Sequence, residues 1–215
     1  MGFFITFEGI EGCGKSTQVK LLAALLKEAG TPCVVTREPG GTKIGAKIRE
    51  ILLNPDNTGM APEAELLLYA ADRAQHVKET IKPALDSGRV VICDRFTDAT
   101  MAYQGSGRGL DMALIRELNR IASLGITPDL TLLLDCPAET GIERALDRNS
   151  RNGNAKDDRF EREVMAFHQK VRDGYLAIAK EEPERVKVVN AIKDIQSMHG
   201  EIWGIVNAFL RNNRT

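Results

Sequence analysis

Eight consecutive residues carry the strongest chemical signal in the chain: Gly9, Ile10, Glu11, Gly12, Cys13, Gly14, Lys15 and Ser16. Their spacing is that of G-x-x-x-x-G-K-[ST], a turn whose glycines let successive backbone N–H groups face one anion. A helix opening at Lys15 adds its positive N-terminal end. A lysine and a hydroxyl at this point suit a nucleoside triphosphate and its divalent cation. Lys15 supplies a point charge to the β- and γ-phosphates, and Ser16 is a candidate magnesium ligand. Cys13 lies where a thiol can be activated, but its preferred reading is a small filler between glycines.

A triphosphate site with a second anion site beside it does phosphoryl transfer, which depends on alignment and charge neutralisation. The candidates for the second site stand at the C-terminal ends of strands, where open α/β sheets bind ligands. Arg37 and Glu38 lie in Thr36-Arg37-Glu38-Pro39-Gly40-Gly41, and Asp94 and Arg95 lie in Asp94-Arg95-Phe96. Arg49 and Arg73 follow on helical stretches. The segment from Asp147 to Asp158 holds one alanine and no larger apolar residue, and Arg144, Arg148, Arg151 and Lys156 flank it or lie in it. Such a segment cannot anchor itself by burial and reads as a mobile lid over roughly 144–160. Because the glycine-rich loop offers only Lys15, Arg148 and Arg151 are the candidates to neutralise the transferring group.

These groups need a scaffold. Apolar runs predict strands at Phe3–Phe7, Cys33–Thr36, Val90–Cys93, Leu130–Leu134 and Val186–Val189. Val19, Leu22, Ala23, Leu26 and Ala29 form one helical face, closed by Gly30 and Pro32. Further helical patterns cover Ala64–Lys78, Met112–Leu124, Ala138–Leu146 and Glu161–Ala179. Strand–helix alternation with apolar strands implies an α/β three-layer fold of the P-loop NTPase type: a five-stranded parallel sheet flanked by helices, with the mobile lid. Residues 1–215 read as one domain.

The formal net charge of -1 lacks the basic excess of a dedicated nucleic-acid binder. No apolar run reaches the roughly 18 residues of a membrane helix, and no signal-peptide pattern opens the chain. Cys13, Cys33, Cys93 and Cys136 form no C-x-x-C pair, which points to a reducing, cytoplasmic setting. No Asn-Lys-x-Asp string is present to read guanine.

Taken together the motifs resemble bacterial thymidylate kinase (dTMP kinase) over nearly the whole chain. Phe7 to Thr17 resembles its P-loop, and Thr36 to Gly41 its TREPGG segment. Leu68-Tyr69-Ala70-Ala71-Asp72-Arg73 resembles its base-binding helix. Asp94-Arg95-Phe96 followed by Ala102-Tyr103-Gln104-Gly105 resembles its DR(Y/H/F)…AYQG segment. Pro128 to Asp135 resembles its fourth strand, and Asp158-Arg159-Phe160-Glu161 the end of its lid.

The resemblance implies roles. The P-loop from Gly9 to Thr17 would hold ATP, with Arg144 and Asn190 near adenine. Tyr69 matches the aromatic ring that stacks on thymine, a position usually Phe. Arg73 and Gln104 match groups that meet the base, and Tyr103 the ring that crowds the sugar 2′ position. Glu11 matches the carboxylate near the 3′-hydroxyl. Arg49 and Arg95 match contacts to the acceptor phosphate, with Glu38 beside them, and Asp94 helps place Mg²⁺ or its waters. Thr100 lies at the thymine edge, where Ala99 stands in place of a second hydroxyl residue. The implied activity is dTMP + ATP to dTDP + ADP by a homodimer. A kinase for another nucleoside monophosphate or for a deoxynucleoside, and a non-catalytic nucleotide-binding module, stay open at this point.

Overall fold

The computed structural model describes residues 2–152 and 159–213, with the side chains of 151 and 152 outside that description. Five strands form one parallel sheet: β1 (Phe4–Glu8), β2 (Cys33–Arg37), β3 (Val90–Asp94), β4 (Leu130–Asp135) and β5 (Val186–Asn190), in spatial order β2-β3-β1-β4-β5. β1 is central, with β3 on one side and β4 on the other. The chain therefore leaves β1 at the point where the strand order reverses, the crevice in which such sheets bind ligands. The register sets Phe7 opposite both Asp94 and Leu132, so the polar ends of β1 and β3 emerge at one edge.

Alternation along β1 explains the layers. Ile5 and Phe7 enter the larger core with Leu22, Leu26, Leu132, Leu134, Ile202 and Val206. Phe4, on the other face, joins Val77, Ile81, Val91 and Phe96. Full burial of one such side chain contributes about 1.5–3 kcal/mol. Thr6 and Glu8 share Phe4's face and are fully buried, so each requires a polar partner. Thr6 finds the Thr131 hydroxyl at 2.8 Å.

The helices are α1 (Lys15–Glu28), α2 (Lys43–Leu53), α3 (Pro62–His76), α4 (Lys82–Asp86), α5 (Thr97–Thr100), α6 (Met112–Ala122), α7 (Ala138–Asn152), α8 (Met165–Glu181) and α9 (Ile195–Asn213). π-helical stretches at Val77–Ile81 and Met101–Gly107 join α3 to α4 and extend α5. The expected strands appear in place. The helix read over Ala64–Lys78 starts at Pro62 and changes pitch after His76. α2 gives bounds to the helical stretch read around Arg49, and α9 is an addition to the sequence reading. The helix expected to stop at Leu146 continues to Asn152, so Arg148 is helical. Backbone hydrogen bonding carries a helix through polar residues without burial, and the Ser150 hydroxyl bonds back to the Leu146 carbonyl at 3.0 Å. The remainder of the expected lid, including Lys156, lies outside the described residues. α8 begins at Met165, after the turn holding Phe160 and Glu161. Among the described residues no helix is long and apolar enough to cross a membrane.

Candidate active site

The phosphate loop joins β1 to α1. Gly12 has φ 69° and lies against the backbone of Gly141 in the first turns of α7, where any side chain would collide. A side chain at Gly141 would in turn collide with Glu11. Loop and α7 thus touch backbone to backbone. Lys15, 8% exposed, folds its ammonium onto the loop, donating to the Gly9 carbonyl at 3.0 Å, the Ile10 carbonyl at 2.7 Å and Cys13 Sγ at 3.4 Å. Cys13 itself is fully buried, as a filler should be.

Ser16 Oγ donates to Asp94 Oδ2 at 2.9 Å. A hydroxyl and a carboxylate are hard oxygen donors, and two protein oxygens suffice for Mg²⁺, which keeps waters and phosphate oxygens in its remaining positions. Among the described residues no group of three His, Cys, Asp or Glu forms an all-protein metal cage. The residues present therefore fit a cation that arrives with phosphate.

Beyond Asp94 the chain turns through Arg95, which has φ 72°, a left-handed conformation unusual for a residue with a side chain. Two bonds hold it there: Arg95 N donates to the Phe7 carbonyl at 3.0 Å, and Phe96 N donates to Glu8 Oε1 at 2.7 Å. The guanidinium is fixed as firmly. It donates to Glu11 Oε1 and to Tyr103 Oη at 2.9 Å each and to Tyr175 Oη at 3.1 Å, and it lies 4.7 Å from the centre of the Tyr103 ring. Tyr103 donates to Glu11 Oε1 at 2.6 Å and Tyr175 to Glu8 Oε2 at 2.8 Å. Burial pushes Glu11 up, but Arg95 and Lys15 outweigh it and hold the carboxyl below its usual range. Arg95 lowers Glu8 as well, but burial, aided by Asp98, outweighs it and pushes the carboxyl up to about 8.

Arg73 is 1% exposed and binds Glu38 Oε2 at 2.9 Å, Asn119 Oδ1 at 2.6 Å, the Phe96 carbonyl at 3.1 Å and Thr100 Oγ1 at 3.0 Å. Glu38 also meets His76 Nδ1 at 2.9 Å. Arg49 donates to the Pro39 carbonyl at 3.2 Å.

Many of these groups face one cleft of about 560 Å³. Its walls include Glu11, Gly12, Gly14, Lys15, Ser16 and Thr17 from the loop, and Arg37, Glu38, Asp94 and Arg95 from the strand ends. Arg49, Tyr69, Arg73, Thr100, Tyr103 and Gln104 line the far side, and Arg144 and Arg148 the α7 side. Gly9, Ile10 and Cys13 lie beneath the surface. Asn190 is exposed at the end of β5 and outside the cleft wall, but Arg144 reaches toward it, donating to the Ala191 carbonyl at 2.9 Å. The Arg151 side chain lies outside the described residues.

The chain that builds this cleft is similar to known proteins. The family model described as thymidylate kinase matches residues 7–202. The chain belongs to the thymidylate kinase family. It is 56% identical over 210 residues to a thymidylate kinase of Geotalea uraniireducens, covering 98% of this chain and 99% of that protein. It is 59% identical over 214 residues to one of Geotalea daltonii, covering 99% and 100%. The crystal structure of thymidylate kinase from Ehrlichia chaffeensis superimposes with a TM-score of 0.77 at 37% identity, covering 95% of this chain and 98% of that one.

Several residues that support this cleft from behind escape the sequence reading. Glu8 and Tyr175 hold the Arg95 turn from behind. At the segment read from sequence as the end of the lid, Phe160 packs edge-on to Tyr103 at 5.4 Å, and Glu161 pairs with Arg148 at 3.5 Å. Glu65, on α3, gathers Gln104, Arg108 and Arg159. A signal existed for Glu8, an acid ending an otherwise apolar strand. For Tyr175 and Glu65 the partners are distant in sequence, and residue type alone carries no signal.

Proposed function

We propose that this chain transfers the γ-phosphoryl group of ATP to the phosphate of dTMP, giving ADP and dTDP for dTTP synthesis. The observation that carries this reading is the placement of Glu11 between two cationic centres of one cleft, Lys15 on the phosphate loop and Arg95 on the strand end. One centre suits a triphosphate and the other a monophosphate, and phosphoryl transfer needs both anions held in line. An oxygen of the dTMP phosphate attacks the γ-phosphorus, and the bond to the β-phosphate oxygen breaks.

In this reading Lys15 leaves its own carbonyls for the β- and γ-phosphates. Ser16 and Asp94 hold Mg²⁺, which when bound neutralises phosphate charge. Arg95, Arg49 and Arg37 bind the acceptor phosphate. Tyr69, Thr100, Gln104 and Arg73 receive the base, while Glu11 and Tyr103 border the sugar. Arg148 and Arg151 meet the transferring group, and Arg144 with Asn190 borders adenine. Residues 1–215 act as one domain.

The reading extends to assembly and location. α2, α3 and α6 pack side by side and leave Ile44, Ile51, Leu67, Leu114, Ile121 and Leu124 exposed, Leu67 by 57% and Leu124 by 62%. That apolar face suits a second copy of the chain, and we assign a homodimer. Four unpaired cysteines suit the cytoplasm.

A steady-state panel tests the activity: ATP with dTMP, dUMP, dCMP, dAMP and thymidine. The expected result is highest kcat/KM for dTMP. Preference for thymidine would replace the reading with a nucleoside kinase, and ATP binding without turnover on any acceptor would replace it with a binding module.

A further inference from the structure

The amide of Gln104 lines the cleft beside Thr100, Tyr69 and Arg73. A primary amide offers a donor, NH₂, on one side and an acceptor, C=O, on the other, and half a turn exchanges them with almost no change in shape. What stands behind the amide decides which side a ligand meets. Here that is Glu65, 1% exposed, whose Oε1 accepts from Gln104 Nε2 at 2.8 Å. The same carboxylate accepts from Arg108 at 3.3 and 3.2 Å, and from Arg159 through Nη1 at 2.8 Å and through Nη2. Both of its oxygens thus accept from guanidinium N–H groups, and oxygens so engaged meet Gln104 as acceptors. Gln104 is therefore compelled to turn its NH₂ toward Glu65. Its carbonyl oxygen is the atom left for a ligand.

Arg73 complements it. A guanidinium has five N–H donors; Glu38, Asn119, the Phe96 carbonyl and Thr100 engage four. One donor on Nη1 remains. The site thus combines an acceptor with a donor, the complement of a ring N–H beside a carbonyl.

We propose that Glu65 is a positioning residue that sets the polarity of base recognition. Held in place by Arg108 and Arg159, it fixes Gln104 as an acceptor, so the site takes a pyrimidine with an N3–H, as in thymine or uracil. It refuses cytosine, whose N3 is itself an acceptor. This rests on the reading of a pyrimidine monophosphate as acceptor. It also supplies an element of base selection where Ala99 lacks a hydroxyl.

Glu65→Gln tests it. The two arginines claim the oxygen of the new amide, its NH₂ then faces Gln104, and Gln104 turns its own NH₂ into the cleft. The ratio of kcat/KM for dTMP to that for dCMP should fall at least about tenfold, the scale of one hydrogen bond to an unpaired partner. Glu65→Asp, still a carboxylate, should keep the ratio. A purely structural role would lower both substrates together and leave the ratio unmoved. In the wild-type enzyme, N3-methyl-dTMP should be refused along with dCMP. An unchanged ratio in Glu65→Gln of near-wild-type melting temperature overturns the proposal. So does wild-type use of N3-methyl-dTMP on a par with dTMP, which decides the matter should the variant fail to fold. In either case wild-type turnover of dTMP leaves the kinase reading standing, whereas its absence removes that reading first.

Discussion

At the proposed acceptor end of the cleft, Arg73 and Arg95 are each gripped by three or more partners. At the donor end, Lys15 bonds only to groups of its own loop, and Arg148 stands 54% exposed with a 3.5 Å contact to Glu161 and hydrogen bonds to its neighbour Asn149. The first arrangement is built in advance, its guanidinium groups oriented by carboxylates and phenols that are themselves buried. The second has its charges in reach but not in place. Preorganised groups lose little freedom on binding and so act on affinity. Groups recruited during the reaction act on the transition state. The two ends should therefore respond differently to the loss of one arginine.

The largest expected effect lies at the donor end. Arg148→Ala should lower kcat by about a hundredfold, within the range of an arginine that meets the transferring phosphoryl group, while KM for either substrate changes little. Single-turnover rates of this variant and of the double variant with Arg151→Ala measure it. A rise in KM with kcat intact would mean that the donor end is as preformed as the acceptor end. Next, Arg95→Ala should raise KM for dTMP about thirtyfold, roughly 2 kcal/mol for a charge-assisted contact. ATP affinity, followed by titration calorimetry, should stay within about twofold. Equal losses for both nucleotides would erase the distinction between the ends.

A third prediction concerns stability rather than turnover, at the support behind Arg95. Glu8 releases its proton near 4.5 in the unfolded chain and at about 8 in the folded one. Between those values the folded state binds the extra proton, so stability is full below pH 4.5 and declines as pH rises toward 8. Glu8→Gln removes that slope, at most about 1.4 kcal/mol per pH unit. Its melting temperature relative to wild type should rise from pH 5 to pH 8. A constant difference across that range would show that Glu8 is ionised throughout.

The donor end was the more legible of the two in sequence. Gly9 to Ser16 is contiguous, and the strand before it is a plain apolar run. The five strands were readable for the same reason: buried parallel strands leave uninterrupted apolar stretches. α9 was equally open to reading, since Met198, Ile202, Val206 and Leu210 recur every four residues after a capping Asp194. α2 was harder, with Gly45 inside it, yet Thr42 caps it through Gly45 N at 2.9 Å. The acceptor end was legible in its arginines and not in their supports. Tyr175 reaches Glu8 across 167 positions and Arg159 reaches Glu65 across 94. No local pattern encodes such pairs. The continuation of α7 through polar residues was hidden for the opposite reason, because an exposed helix end needs no apolar face.

The contact of Gly12 with Gly141 gives α7 the character of a lever. Its fulcrum rests on the glycine-rich loop between β1 and α1. Seven residues separate Gly141 from Arg148, about 10 Å of helix at 1.5 Å per residue. A tilt of about 15° at the fulcrum would carry Arg148 roughly 3 Å, the length of a hydrogen bond. A shift of a few tenths of an ångström in the loop, where the helix is pinned by bare backbone, is thus magnified at the Arg148 guanidinium.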